Sequence, residues 1–413
     1  MHEYPVVIFL AVLTFSYGLF SRLSERAPFT APMLFVLTGV ACSPLGLGWL
    51  TVTPDDNVIR LVAEITLVSV LFVEASTIDL RRMIRERAIA MRLLLVGLPL
   101  TMLMGTLMAA LLFPEMSWWL LALLAFILSP TDAALGQVVV TSERVPAPLR
   151  RAIAVESGIN DGLVLPPILV CVAALGLVAS ERTGGSYWLE FTFAQLVFGP
   201  LIGGAVGWLG GWAVDACAQR KLMNDTFQRL SAICLAVIAW AVAEAFDGNG
   251  YIAAFTGGLL LGVKTSSVRE RVQEYAEAEG QQLILFVFLI FGLSMVPLAV
   301  PYWTWQSWVY ALLSLTVLRM GPVLVSLVGT GLRTRDRWFI SWFGPRGIAS
   351  VLYLEIVILD LGLQGYESML AVVVLTVLLS VFLHGLTAQP LAALYPQAPR
   401  KDTVVGNSKA PDL

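Results

Sequence analysis

The stretch AFILSPTDAALGQVV, residues 125–139, decides how this chain is read. It belongs to an apolar run that begins at Trp118, and in its middle Pro130, Thr131 and Asp132 stand in succession. Proline has no backbone N–H, so Pro130 cannot donate to the carbonyl of Phe126 and the helix ladder breaks there. Irregular backbone at membrane depth is tolerated only where protein buries it or where it lines a water-filled cavity. An ionisable side chain at that depth costs about 2.5–3.5 kcal/mol on insertion scales. The stretch therefore reads as an interrupted helix that holds a charge inside a membrane.

The rest of the chain supports that setting. Of its 413 residues, 58% are hydrophobic and only 13% are charged, which excludes a water-soluble globular protein. Apolar runs of about 20 residues match the thickness of a bilayer, and thirteen candidate spans can be drawn. They run approximately over 5–21, 30–48, 58–78, 90–113, 117–140, 150–179, 191–217, 228–246, 249–263, 281–300, 304–329, 337–361 and 367–394. The one at 249–263 is short and Gly-rich. The expected fold is all-α and polytopic, with about 13 transmembrane helices. A β-barrel would show short alternating segments instead. The first span has no basic region before it, so no cleavable signal peptide is expected.

Charge in the loops sets an orientation. Lys and Arg gather on the cytoplasmic side. If the loop after the first span is cytoplasmic and sides alternate, 22 of the 26 basic residues fall on that side. Arg60 and Arg182 fall outside, and Arg319 and Arg346 lie deep within spans. The N-terminus is then external and the C-terminus cytoplasmic. The longest loop, 264–280, is an amphipathic cytoplasmic link, and residues 396–413 read as a short disordered tail after a transmembrane domain over 1–395. The net charge of −3 says little here. Cys42, Cys171, Cys217 and Cys234 show no paired spacing and read as packing residues. With His2 and His384 the only histidines, no zinc site is expected.

Span 6 opens RRAIAVESGINDGLVLPP, residues 150–167. Residues four apart share a helix face, so Glu156 stacks with Asn160 and Ser157 with Asp161. These four form one compact cluster of oxygen ligands. Gly158 and Gly162 let another helix approach beside it. Span 12 repeats the device of span 5: ISWFGPRGIASVLY, residues 340–353, has Pro345 at the break and Arg346 as the charge. Spans 5 and 12 are seven apart, so they run in opposite directions. Paired interrupted helices in two inverted halves point to the substrate site of a secondary transporter. The inverted repeats would cover about 5–179 and 228–394, with 191–217 as the linking helix. Arg346 is expected to balance part of the carboxylate cluster, the remaining negative charge taking a cation. Glu74, Glu244, Glu355 and Asp360 lie nearer span ends and read as structural or interfacial, as does Glu64.

The segments SPTDAALG (129–136), VESGINDG (155–162) and FGPRGIAS (343–350) resemble the three signature segments of NhaP-type sodium/proton antiporters. These are prokaryotic relatives of the animal sodium/hydrogen exchangers. The resemblance covers about residues 5–395, and LFVEASTIDL (71–80) fits it as well. It implies an ion site formed by Thr131, Asp132, Glu156, Ser157 and Asp161. Asn160 becomes the first member of an Asn-Asp pair, Arg346 is expected near Glu156, and Arg319 matches a basic residue of span 11. It also implies a homodimer in which a core domain moves against an interface domain.

The activity that follows is secondary antiport of a monovalent cation, sodium first, for a proton, with potassium as the alternative. Such a protein serves pH homeostasis at the cell inner (plasma) membrane and is not an enzyme. Oxygen ligands suit such hard cations, by extension of the rule for calcium and magnesium. Asp161 would take a proton or a cation in turn, and a single aspartate in the pair makes one proton per cation the simplest stoichiometry. No cofactor and no nucleic-acid partner is expected. Membrane lipid, the transported cations and protons are. Three rivals are weaker. A channel does not need two inverted broken helices. An intramembrane aspartyl protease would use Asp132 and Asp161 but lacks its GxGD segment. A transporter of organic solutes would want a larger polar site.

Overall fold

The computed structural model describes residues 3–24, 29–50, 57–78, 88–132, 135–179, 185–261 and 280–395. The expected tail at 396–413 and most of the 264–280 loop lie outside them. Among the described residues the regular elements are all helical. Among the described residues, seven helices are long and apolar enough to cross a membrane, Ala147–Gly176, Phe193–Gln219 and Glu367–Ala393 included. Shorter apolar helices, such as Ala31–Cys42 and Gly250–Leu260, fall within other predicted spans.

Prolines shape several helices. Two π-helical turns, Leu93–Gly97 and Phe291–Met295, immediately precede the segments that contain Pro99 and Pro297. A proline withholds one donor from the carbonyl four residues back, and widening the turn relieves the clash. Predicted span 11 is not continuous. It divides into Trp305–Leu315 and Val317–Ser326 at Thr316, whose backbone leaves the helix at φ −116° and ψ −93°. The Thr316 hydroxyl turns back to donate to the Leu312 carbonyl at 2.6 Å.

The short Gly250–Leu260 helix packs tightly because its neighbour lacks side chains where they meet. Gly199, Gly203 and Gly207 recur every four residues along Gly185–Gln219, and a Cβ on any of them would strike the backbone of 249–257. This small-residue spacing lets two membrane helices approach closely. Outward faces are apolar, with Leu103, Leu107 and Leu111 exposed at every fourth residue. The main core instead gathers Leu120–Leu128, Val164–Ile168, Ile348–Val357 and Leu370–Val377. It thus wraps the two spans around Pro130 and Pro345. At the far end, the Tyr395 hydroxyl donates to Asp336 at 2.9 Å while the Arg335 guanidinium lies 4.2 Å over its ring.

Candidate functional site

Both predicted interruptions are present. Trp118–Ile127 ends in irregular backbone through Asp132, and helix resumes at Gln137–Thr141. Thr334–Trp342 gives way to irregular residues 343–347 before Ile348–Leu361 begins. The two breaks cross. The Asp132 N–H donates to the Pro345 carbonyl at 2.8 Å. In return, Asp132 Oδ2 accepts the Ile348 N–H at 2.8 Å, and its Oδ1 accepts the Leu135 N–H at 3.4 Å. Arg346 Nη1 donates to the carbonyls of Ser129 at 2.9 Å and Pro130 at 3.1 Å. Each charge therefore sits at an end of the other span's half-helix. The carboxylate meets an N-terminus and the guanidinium meets the carbonyls beyond a C-terminus, which is the favourable sense of both helix dipoles. Gly347 is required at this crossing, because a Cβ there would fall on Asp132 Oδ2.

The Ala147–Ala179 helix completes the site. Its Ser157 Oγ lies 2.9 Å from Thr131 Oγ1, and Asn160 Nδ2 donates to the same hydroxyl at 2.8 Å. Asp161, one residue on, has its backbone carbonyl held by the Tyr353 hydroxyl at 2.8 Å. Its carboxyl faces that of Glu74, from the Asn57–Thr77 helix, with Asp132 nearby. Asp161 Oδ1 and Asn160 Oδ1 are buried and accept no hydrogen bond. Carboxyl, hydroxyl and amide oxygens thus converge where the crossed breaks meet span 6, a donor set that suits a hard cation.

Glu156 is spent differently. Arg319 grips both of its oxygens, Nη1 to Oε1 at 2.5 Å and Nη2 to Oε2 at 2.9 Å. This corrects the expected pairing of Glu156 with Arg346. Arg346 is drawn to the carbonyls left free by the Pro130 break, and its Nε and Nη2 make no hydrogen bond. The basic residue that reaches Glu156 comes instead from the span interrupted at Thr316.

A family model described as "Sodium/hydrogen exchanger, transmembrane" matches residues 9–394. The chain belongs to the sodium/hydrogen exchanger family. It is 24% identical to the K(+)/H(+) antiporter NhaP2 of Shewanella baltica over 93% of this chain and 66% of that protein. It is 25% identical to the K(+)/H(+) antiporter NhaP of Alkalimonas amylolytica over 80% of this chain and 56% of that one. The chain thus spans about two thirds or less of the length of these relatives. The solved structure of the sodium proton antiporter MjNhaP1 from Methanocaldococcus jannaschii at pH 8 superposes with a TM-score of 0.76 at 18% identity, covering 96% of this chain and 99% of that one. The likeness places the chain in the same exchanger fold.

Within that fold, the sequence-derived residues Thr131, Asp132, Ser157, Asn160 and Asp161 come together. Glu74 is the member that sequence reading set aside as structural. A signal for it was present. Leu67, Val70, Leu71 and Ile78, at helical spacing around Glu74, are buried apolar residues, so the carboxyl interrupts a buried stripe. Tyr353 gave no such signal, because a tyrosine among apolar neighbours reads as core.

Proposed function

We propose that this exchanger carries one monovalent cation against one proton, with Asp161 as the group that takes each in turn. The observation that carries the reading is the Asp161–Glu74 contact at the crossing of two broken helices. Two carboxyls so close need positive charge between them, and a proton or a cation can supply it. With the proton gone, Asp161 Oδ1, Asn160 Oδ1, Ser157 and Thr131 offer oxygens to the cation. Asp132 is then the charge that holds the crossing and lies beside the ion rather than leaving with it. Glu156, engaged by Arg319, braces span 6.

The wider scheme is proposed with it. The chain forms thirteen crossings in two inverted repeats about 5–179 and 228–394, linked by 191–217, with the N-terminus outside and the C-terminus in the cytoplasm. It works as a homodimer in the plasma membrane, as a transporter and not an enzyme. Sodium is the first choice of cation. Potassium is the second reading, favoured because the relatives from Shewanella baltica and Alkalimonas amylolytica are K(+)/H(+) antiporters by name. Proton efflux from proteoliposomes loaded at low internal pH, started by each alkali cation in turn, tests both. Efflux driven by sodium or potassium is expected, and no response to any alkali cation would overturn the reading.

A further inference from the structure

The helix Glu367–Ala393 carries, among its buried apolar residues, a line of buried polar ones four apart: Thr376, Ser380 and His384. Thr376 is satisfied within its own helix by the Val372 carbonyl at 2.7 Å. Ser380 and His384 reach across to the break in span 12. The Arg346 N–H donates to Ser380 Oγ at 2.7 Å. Ser380 Oγ lies 3.1 Å from His384 Nδ1, and His384 Nε2 lies 3.1 Å from the Trp342 carbonyl. Each ring nitrogen thus faces a carbonyl, which can only accept: Nε2 that of Trp342, and Nδ1 that of Ser380 at 3.2 Å. The contacts run in one chain from the Arg346 N–H through Ser380 and His384 to Trp342.

This chain spans the irregular segment from its first side to its middle. Trp342 is the last residue of the half-helix before the break, and Arg346 is the residue whose guanidinium holds Ser129 and Pro130. Trp342 is fixed a second time by the same helix, because its Nε1 donates to Thr387 at 3.0 Å. The ring of Trp342 also lies against that of His384, centroids 5.1 Å apart. The Trp342 carbonyl also accepts the Gly344 N–H at 2.8 Å, within the break itself.

We propose that His384, acting through Ser380, is a positioning residue. It sets the backbone of 343–347 and thereby the placement of Arg346 and of the Ile348 N–H that holds Asp132. The transport consequence rests on the exchange reading above, while the geometric consequence does not.

Three measurements test it. His2 is the only other histidine, so 15N-histidine labelling isolates the His384 ring, where a protonated Nε2 donating to the Trp342 carbonyl is expected; a bare Nε2 would overturn the proposal. Hydrogen exchange of the peptide covering 343–348 should quicken at least tenfold in Ser380→Ala and in His384→Ala. Unchanged exchange there in both variants would also overturn it. In proteoliposomes both variants should raise the half-saturating cation concentration about tenfold, as loss of an outer-shell partner does for metal sites. His384→Asn keeps an acceptor toward Ser380 and should restore most of that loss, whereas a purely packing role would give no such rescue. If the wild-type protein moves no alkali cation, the exchange reading fails, and the ring and hydrogen-exchange results still decide the positioning role.

Discussion

Arg319 and Glu156 are joined by two parallel hydrogen bonds, at 2.5 and 2.9 Å, with 1% and 2% of their surfaces exposed. A planar guanidinium matches a carboxylate in this forked geometry, and a lysine does not. The pair ties the helix that carries Ser157 and Asp161 to the second half of an interrupted helix. It neutralises one of the carboxyls of span 6, while the other, Asp161, faces Glu74.

Removing one partner of such a buried pair strands the other charge, a loss of about 3–5 kcal/mol. Arg319→Ala is expected to lower the thermal midpoint strongly in detergent, and Arg319→Lys to restore only part of it. Adding Glu156→Gln to Arg319→Ala should recover part of the loss, giving a large coupling in the double-mutant cycle. The same cycle between Arg346 and Glu156 should give a clearly smaller coupling. Equal couplings would contradict the observed pairing.

Asp161→Asn keeps the shape of the side chain and removes the group that takes the proton. Exchange should vanish in proteoliposomes while the protein remains folded and helical by circular dichroism. Glu74→Gln, which removes the second carboxyl of the contact, should slow exchange at least tenfold, the scale typical of a lost proton-transfer partner. Wild-type rates in either variant would remove that residue from the carrier role.

Asp132 and Gly347 should show the cost of disturbing the crossing. A charge at a helix N-terminus contributes roughly 0.3–1 kcal/mol when exposed and up to ~2 when buried. Asp132→Asn retains an oxygen for the Ile348 N–H and should be destabilised on that scale, with Asp132→Ala lower still. Gly347→Ala pushes a methyl onto the Asp132 carboxylate, so it should impair exchange more than its size implies. Thermal unfolding ranked wild type, Asn, Ala tests the series; a more stable Ala than Asn variant would argue against capping.

Charge balance gives a separate test. If Asp161 takes one proton or one monovalent cation per half-cycle, no net charge crosses the membrane. An imposed voltage should leave the exchange rate nearly unchanged, and a protonophore should not stimulate it. A reversal potential fitting two protons per cation would show that Glu74, through its contact with Asp161, also gives up a proton in the cycle.

The sequence by itself determined the apolar spans and the interruptions at Pro130 and Pro345, because these depend on local properties; the break at Thr316 came only with the structure. Apolar length makes a membrane helix, and a missing N–H at Pro130 or Pro345 breaks one wherever the chain runs. The same holds for the Ser157–Asp161 face, since helical spacing is fixed by the backbone. Partners across the fold were another matter. Arg319 lies 163 residues from Glu156, and Arg346 lies 216 from Pro130. Either arginine could satisfy a buried carboxylate by charge alone, and no local property distinguishes them. Only the packing of the helices decided it. The break at Thr316 accompanied one guanidinium to Glu156, while the carbonyls freed by Pro130 claimed the other. Glu74 was decided in the same way. Its place on a buried stripe was legible, but that the stripe faces Asp161 follows from how the Asn57–Thr77 helix packs on Ala147–Ala179. Helices form from interactions within a few residues, whereas the site exists only where several of them meet.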